Sequence, residues 1–146
     1  MAADSSERIR KIIGVDMFSP WMLTGPYTVF DVETTGMSPV HNRIIEIGAV
    51  RIEHDGSITR YETLIHPECS IPNQITRLTG ISNEMVANAP TFAEMAEEFL
   101  QFINGSRLVA HNARFDLAFL MESLGRPELH LIVERVQASG RRRSRR

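Results

Sequence analysis

The sequence predicts an α/β domain in which helices pack against a mixed β-sheet. Three apolar, β-branched segments follow one another between residues 27 and 65, which is typical of consecutive antiparallel strands. An amphipathic segment over 92–103, a short apolar segment over 107–110 and a second helical segment from 113 come after them. A strand–helix–strand order that follows a hairpin sheet favours a layered α/β architecture.

Composition indicates one soluble globular domain. The chain has 146 residues, of which 42% are hydrophobic and 23% are charged, as in ordinary soluble proteins. No apolar run approaches the roughly 20 residues of a membrane span, and Asp4 and Glu7 stand where a signal peptide would be basic and then apolar. The single Cys69 cannot form an intramolecular disulfide. We therefore expect a cytoplasmic protein without membrane contact.

The charge is distributed unevenly along the chain. The formal net charge is −2, but residues 141–146 hold five of the sixteen basic residues, which leaves −7 on the remainder. A body this acidic does not bind nucleic acid through bulk positive charge. Any nucleic-acid contact would need a local site where metal ions offset the phosphates.

The first predicted strand, Tyr27–Val32, lies between Gly25-Pro26 and Gly36 and is followed by a loop to residue 42. Because side chains alternate across a strand, Asp31 and Glu33 project to the same side near its end. Two adjacent carboxylates repel, so either one is protonated or a cation lies between them. A hard divalent ion such as Mg²⁺ or Mn²⁺ suits oxygen ligands. The alternative is a solvated acidic pair at a strand end.

The second and third predicted strands, 43–52 and 57–65, form a hairpin around Asp55-Gly56, which supplies the positive φ angles of a tight turn. Glu46 lies within an otherwise apolar stretch of the second strand and is either paired or exposed at an edge. Strict alternation would put three apolar residues of this strand on one face: Ile45, Ile47 and Ala49.

An irregular segment over 67–89 comes next, with helical turns predicted near 73–78 and 83–87. Thr91 and Glu94 then match a capping box that opens the amphipathic helix. The strand over 107–110 leads to His111. This histidine could act as a metal ligand or a base, or its side chain could form a hydrogen bond with the backbone. Asn112 is a candidate N-cap for a helix over 113–123, and its first turn, where the helix dipole favours an ionised carboxylate, holds Asp116.

Four motifs in this order resemble the DEDD-type 3′–5′ exonucleases, and in particular proofreading epsilon subunits of bacterial DNA polymerase III. The motifs are Asp31-Val-Glu33-Thr-Thr-Gly36, Ile44-Ile-Glu-Ile-Gly-Ala-Val50, Leu78-Thr-Gly-Ile81 and His111-Asn-Ala-Arg-Phe-Asp116. The resemblance implies a ribonuclease H-like mixed sheet with three antiparallel strands and one parallel strand. It also implies two divalent metal ions, Mg²⁺ or Mn²⁺, a single-stranded DNA 3′ end as substrate, with RNA left open, and a polymerase subunit as partner.

The same resemblance assigns residues to the site. It implies that Asp31, Glu33 and Asp116 are catalytic carboxylates that bind the metal ions. Thr34 and Thr35 would contact the terminal nucleotide, and Leu78, Thr79 and Gly80 would pack on its base and sugar. Asn112 and Phe115 would support the substrate side by packing.

The sequence departs from this family after Asp116. Members carry a His or Tyr shortly before a fourth Asp on a final helix that follows a further strand, but no Asp occurs here after Asp116. His130 and Glu134 imitate this motif with the wrong spacing. We therefore expect an incomplete domain over 25–125, lacking that strand and helix, between a leader over 1–24 with a short helix and a divergent, disordered basic tail over 126–146.

The chain has fifteen arginines and one lysine, which suggests GC-rich coding DNA. A shifted frame in such DNA tends to encode Arg, Ser, Gly and Ala, the residues that dominate 138–146. We therefore favour a reading frame lost near Glu128 over a naturally short protein. The expected function is a metal-dependent 3′–5′ exonuclease with impaired activity. The alternatives are a non-catalytic module that binds nucleic acid or a polymerase, and a fragment that does not fold stably.

Overall fold

The computed structural model describes residues 26–110 and 112–143. The predicted leader helix and His111 lie outside this range. Four strands and five α-helices are described, with a single 3₁₀ turn at Pro127–Leu129. They are β1 (Tyr27–Thr34), β2 (Ile44–Ile52), β3 (Ile58–Leu64), α1 (Asn73–Thr79), α2 (Asn83–Val86), α3 (Phe92–Ile103), β4 (Arg107–Ala110), α4 (Ala113–Leu124) and α5 (His130–Arg143).

The four described strands form one mixed sheet in the order β3-β2-β1-β4. β2 pairs antiparallel with both β1 and β3, whereas β4 pairs parallel with β1. This is the predicted fold class, and the strand positions predicted along the chain are confirmed. The parallel register places Phe30 beside Ala110, so β1 and β4 approach the same edge of the sheet.

The β2–β3 hairpin turns where the sequence predicts. Gly56 has a φ of 84°, and its N–H donates to the Glu53 carbonyl over 3.0 Å. The Asp55 carboxylate accepts a 2.9 Å hydrogen bond from the Ser57 N–H. The Asp-Gly pair therefore provides both the left-handed backbone and the side-chain acceptor that close the turn.

A β-bulge in β2 overturns the predicted face pattern of that strand. Glu33 pairs with Glu46, but the next residue, Thr34, pairs with Ile44, so Ile45 is an extra residue. An extra residue reverses the alternation beyond it. Ile44 consequently joins Ile47 and Ala49 in the main core, and Ile45 packs in a separate cluster. The prediction that Ile45 shares a face with Ile47 and Ala49 is wrong.

The main core fills the space between one face of the sheet and helices α3 and α4. The capping box that starts α3 is confirmed, because the Thr91 hydroxyl accepts from the Glu94 N–H over 3.3 Å and the Glu94 carboxylate accepts from the Thr91 N–H over 3.4 Å. Buried side chains from both layers meet here, namely Phe30, Val32, Ile44, Ile47, Ala49, Ile65, Phe92, Met95, Ala96, Phe99, Phe119, Leu120 and Leu129.

A smaller core anchors the irregular segment that follows β3. Both helical turns predicted there are confirmed as α1 and α2. Ile45 from the bulge packs with residues of that segment, and the buried members of the cluster are Ile45, Ile71, Ile81 and Val86. The bulge thus directs one β2 side chain toward the α1–α2 segment.

The basic tail predicted to be disordered contains a helix instead. Leu129, in the 3₁₀ turn just before α5, is buried, and within α5 Val136 is buried and Ile132 packs against the main core. Ile132 and Val136 are four residues apart, so they lie on one face of the helix. Nη1 of Arg135 on α5 lies 3.3 Å from Oε1 of Glu97 on α3. The helix was not predicted from the sequence because arginines dominate the end of this segment. Among the described helices, none has the length and apolar character to cross a membrane.

Candidate active site

The first two acidic residues of the candidate site lie near the end of β1. Phe30 and Val32 face the main core, so by alternation Asp31 and Glu33 project from the opposite face. Both are partly buried. The predicted side-by-side placement of these carboxylates therefore follows from the strand geometry.

Asp116 reaches the same edge of the sheet from another element. β4 ends at Ala110, beside Phe30 of β1, and α4 begins at Ala113, which places Asp116 in the first turn above that edge. Its side chain is 2% exposed. The Asp116 carboxylate accepts from the Asn112 N–H over 3.4 Å, which suits a negative charge at a helix N-terminus.

Asn112 occupies the predicted N-cap position but does not act as predicted there. Its side chain makes no capping hydrogen bond, and its φ of −107° and ψ of 76° differ from the usual extended cap. The carboxylate of Asp116 takes over part of that role from within the helix. Asn112 itself is exposed.

The donor types fit a hard metal ion, because carboxylate oxygens are the ligands that Mg²⁺ and Mn²⁺ prefer. Within residues 26–110 and 112–143, however, no three His, Cys, Asp or Glu side chains are grouped as a metal-binding set. The backbone therefore brings Asp31, Glu33 and Asp116 to one edge, while their side chains are not gathered around a common point.

A further carboxylate, which is not among the predicted site residues, lies on this face. Glu46 of β2 is the register partner of Glu33, and directly opposed residues in an antiparallel pair project to the same side. It is partly buried. Pairing β1 with β2 in register would have revealed this neighbour from sequence, but the bulge makes that register ambiguous.

The two threonines that follow Glu33 hold the backbone of the site. Thr34 donates its hydroxyl proton to the Gly36 carbonyl over 2.6 Å. The Thr35 hydroxyl accepts from the Arg43 N–H over 2.9 Å, and the Thr35 N–H donates to the Arg43 carbonyl over 2.8 Å. Both threonines are buried. They fix the start of the loop that follows β1.

The loop after Gly36 is ordered by its own hydrogen bonds. Asn42 accepts from the Ser38 N–H over 2.9 Å through Oδ1 and donates its own N–H to the Ser38 carbonyl over 2.7 Å. A Cβ atom on Gly36 would lie 2.6 Å from that Oδ1. The loop holds the side chains of Met37 and Val40 in solvent, 79% and 68% exposed. The loop that follows β1 therefore leaves two apolar side chains exposed to solvent.

Leu78, Thr79 and Gly80 differ in what they can offer a ligand. The Leu78 side chain is 80% exposed. The buried Thr79 hydroxyl donates to the Ile75 carbonyl over 2.8 Å and accepts from the Ile81 N–H over 3.1 Å. Gly80 ends α1 with a φ of 79°. Of these three, only Leu78 presents a side chain to solvent.

Phe115 is half-buried on α4, and its ring centroid lies 4.8 Å from that of Phe119. It therefore joins the start of the helix to the main core.

The strands and helix that carry the candidate site, from β1 to the end of α4, are also the part of the chain that comparison identifies. A family model described as exonuclease, RNase T, matches residues 28–126. The chain belongs to this exonuclease family.

Relatives of the exonuclease family with 40–50% identity include polymerase subunits and a nuclease. The DNA polymerase III subunit epsilon of Treponema pallidum is 43% identical over 112 residues, which are 74% of this chain and 52% of that protein. The PolC-type DNA polymerase III of Caldanaerobacter subterraneus is 47% identical over 98 residues, 67% of this chain and 7% of that protein. The 3′-5′ exonuclease DinG of Bacillus subtilis is 48% identical over 99 residues, 67% of this chain and 11% of that protein. The chain thus spans about half or less of each of these relatives.

Solved structures support the fold. Exonuclease I from Methylocaldum szegediense superposes with a TM-score of 0.61 at 20% identity, over 67% of this chain and 23% of that one. Exonuclease I of E. coli, solved with a dA16 oligonucleotide, has a TM-score of 0.60 at 17% identity over the same shares. At this identity the likeness concerns the architecture, which agrees with the mixed four-stranded sheet.

Proposed function

We propose that this exonuclease-family domain is a metal-dependent 3′–5′ exonuclease of the proofreading type, in which Asp31, Glu33 and Asp116 bind two divalent ions, Mg²⁺ or Mn²⁺. The observation that carries the proposal is the convergence of β1 and the N-terminus of α4 at one edge of the sheet. Ions bound there would stabilise negative charge on the phosphate and lower the pKa of a water nucleophile.

The remaining site residues would position the nucleic-acid end. Thr34 and Thr35 fix the backbone beside the carboxylates through their hydroxyl hydrogen bonds. Leu78 presents an exposed apolar side chain to a base, with Thr79 and Gly80 setting its position. Asn112 and Phe115 would shape the wall on the α4 side.

The proposed substrate is the 3′ end of a single DNA strand, and RNA is the alternative. Two kinds of relative support a nucleic-acid substrate: one is named 3′-5′ exonuclease DinG, and others are named DNA polymerase III. A polymerase subunit is the proposed protein partner.

The test is digestion of a 5′-labelled single-stranded oligonucleotide with Mg²⁺ or Mn²⁺. We expect a ladder of products shortened from the 3′ end, which disappears with a chelator and with Asp31→Asn. Glu98→Gln is the matched control, since Glu98 is an exposed residue of α3, which packs on the other face of the sheet. Product formation that persists in Asp31→Asn would exclude this site as its source.

A second candidate function is a non-catalytic module that binds nucleic acid or a polymerase. Two observations favour it: no three-donor metal set is grouped among the described residues, and α5 continues into the arginine-rich end of the sequence. This function predicts metal-independent, salt-sensitive binding. Removal of residues 141–146 should then reduce the salt dependence of binding, with no hydrolysis under any metal condition.

A further inference from the structure

We propose that Arg43, with Arg126 close by, binds a backbone phosphate of the nucleic-acid strand that enters the candidate active site. This inference rests on the proposed exonuclease function, and it adds a substrate contact outside the carboxylates. The ligand is a phosphodiester group upstream of the one that is cleaved.

Arg43 is fixed to the site through its backbone. Its N–H donates to the Thr35 hydroxyl over 2.9 Å, and its carbonyl accepts from the Thr35 N–H over 2.8 Å. Thr35 follows Glu33 by two residues along the chain. A phosphate held by the Arg43 guanidinium would therefore lie within a short distance of the terminal nucleotide.

The side chain of Arg43 is available to an anion. It is 37% exposed, and its Nη1 lies 4.0 Å from Oε2 of its ion-pair partner Glu68, whose side chain is 56% exposed. An exposed pair at this separation contributes little, so a phosphate can displace Glu68. An arginine also presents donors in a fork that matches two phosphate oxygens.

The backbone of Glu68 is unusual for its residue type. Its φ is 60°, a left-handed conformation that non-glycine residues seldom adopt. The Glu68 N–H donates to Nδ1 of His66 over 2.9 Å, which holds this turn. The turn thus keeps a carboxylate beside Arg43 that would compete with a phosphate and weaken binding of the strand.

Arg126 adds a second positive charge to this region. Burial, and after it the charge of Arg43, lower the pKa of Arg126, while Glu128, Glu68 and Glu122 act in the opposite direction. An arginine stays protonated at neutral pH, so two cations share this region. A phosphate that bound between or beside them would relieve their repulsion.

The electrostatics of the rest of the site make such a contact necessary. Asp31, Glu33 and Glu46 share one face of the sheet, and residues 1–140 carry a net charge of −7. Metal ions would offset the carboxylates at the cleaved phosphate. The next phosphates of the strand would meet an acidic surface unless a cation lay along their path.

The first test measures binding of fluorescein-labelled oligothymidylate by anisotropy across a salt series, with Ca²⁺ in place of Mg²⁺. Arg43→Gln should weaken binding about tenfold and reduce the slope of log affinity against log salt by about 0.7, the value for one phosphate of a single strand. Arg43→Lys keeps the charge and should preserve the slope. Glu68→Gln should strengthen binding by about two- to fivefold.

Arg107→Gln is the matched control, because Arg107 is exposed and lies at the opposite end of the sheet, beside Tyr27. It removes the same charge and should leave the slope unchanged. Circular dichroism spectra of all variants should match that of the wild-type chain. Equal losses in Arg43→Gln and Arg107→Gln would overturn the proposal.

A second test separates this contact from the chemistry. The p-nitrophenyl ester of thymidine 5′-monophosphate has one phosphodiester and no upstream phosphate. Arg43→Gln should leave its hydrolysis unchanged and lower kcat/KM for the oligonucleotide about tenfold. Equal losses on both substrates would overturn the proposal, as would the absence of oligonucleotide binding by the wild-type chain. Binding that responds to Arg43 without any hydrolysis would instead refute the proposed function alone.

Discussion

Glu46 of β2 lies directly opposite Glu33 of β1, on the same face of the sheet as Asp31. Directly opposed side chains on this kind of pair approach to about 5 Å between Cβ atoms. Like charges at that distance are unfavourable without a compensating cation or proton. The pair therefore extends the acidic edge from one strand to two.

Glu46→Gln should reduce hydrolysis of single-stranded DNA about 10- to 100-fold, the range seen when groups next to metal ligands are replaced. The substitution keeps the size of the side chain and removes its charge. Activity is measured with a metal titration, and the metal concentration for half-maximal rate should rise. Glu98→Gln, on α3 at the other face of the sheet, should not change either quantity. Equal effects in both variants would contradict a role specific to Glu46.

Leu78→Ser should raise KM for single-stranded DNA about fivefold with little change in kcat. The Leu78 side chain is 80% exposed, so its removal costs the fold little, whereas contact with a base would bury apolar area worth roughly 25 cal/mol per Å². The control is Met121→Ser, which removes a 66% exposed apolar residue from α4. Steady-state kinetics that show the same KM in both variants would rule out the contact.

Gly36→Ala should destabilise the site loop by about 1–3 kcal/mol, because the new Cβ would lie 2.6 Å from Oδ1 of Asn42. Asn42→Ala should also destabilise it by removing the acceptor for Ser38. The double variant should be less destabilised than the sum of the two single variants, since it no longer contains the clash. Urea denaturation measures all three. If the loss of stability in the double variant equalled the sum of the two single losses, the new Cβ at position 36 would not clash with Asn42 as expected.

Thr91→Ala should lower the free energy of unfolding by about 1 kcal/mol. The change removes the hydroxyl that accepts from Glu94 at the start of α3, whose buried residues include Met95 and Phe99. Thr91→Ser retains the hydroxyl and should lower the free energy of unfolding much less. Thermal unfolding followed by circular dichroism compares the two, and an equal loss would point to the methyl group instead.

Tyr61 should make stability fall at alkaline pH. Burial, and then the nearby charge of Glu98, raise the pKa of Tyr61 to about 12, above the value of about 10 expected in the unfolded chain. An acid whose pKa is raised by folding contributes its stability in full below the unfolded value and loses it as pH rises from about 10 to about 12. Urea midpoints should decline in this window, and less so in Tyr61→Phe. An identical decline in both would assign the effect to other groups.

Local patterns allowed most elements to be predicted from the sequence. The Asp55-Gly56 turn, the Thr91 capping box and the stripe of α3 each depend on residues close together in the chain. The position of Asp31 and Glu33 on one side of β1 also follows from alternation alone. These features needed no knowledge of tertiary contacts.

What depended on tertiary contacts was predicted less well. The bulge at Ile45 arises from the pairing of β1 with β2, so alternation within β2 could not reveal it, and Glu46 remained unassigned. The helix α5 was not predicted because its apolar face, with Val136 buried and Ile132 packed on the main core, precedes a run of arginines. The exposure of Met37 depends on hydrogen bonds between Ser38 and Asn42 that composition does not specify.

The smaller core beneath α1 and α2 is separate from the main core, and this separation has a dynamic consequence. The segment that carries Leu78 rests on the smaller core, which contacts the sheet through Ile45 and Leu64. Asp31 and Glu33, and Asp116 after them in the chain, lie on β1 and α4, which pack on the main core. A region with fewer buried apolar contacts opens at a lower free energy than the whole domain. We therefore expect amide hydrogens of α1 and α2 to exchange faster than those of β1 and β2. Such partial opening would let a nucleotide leave while the acidic edge stays assembled.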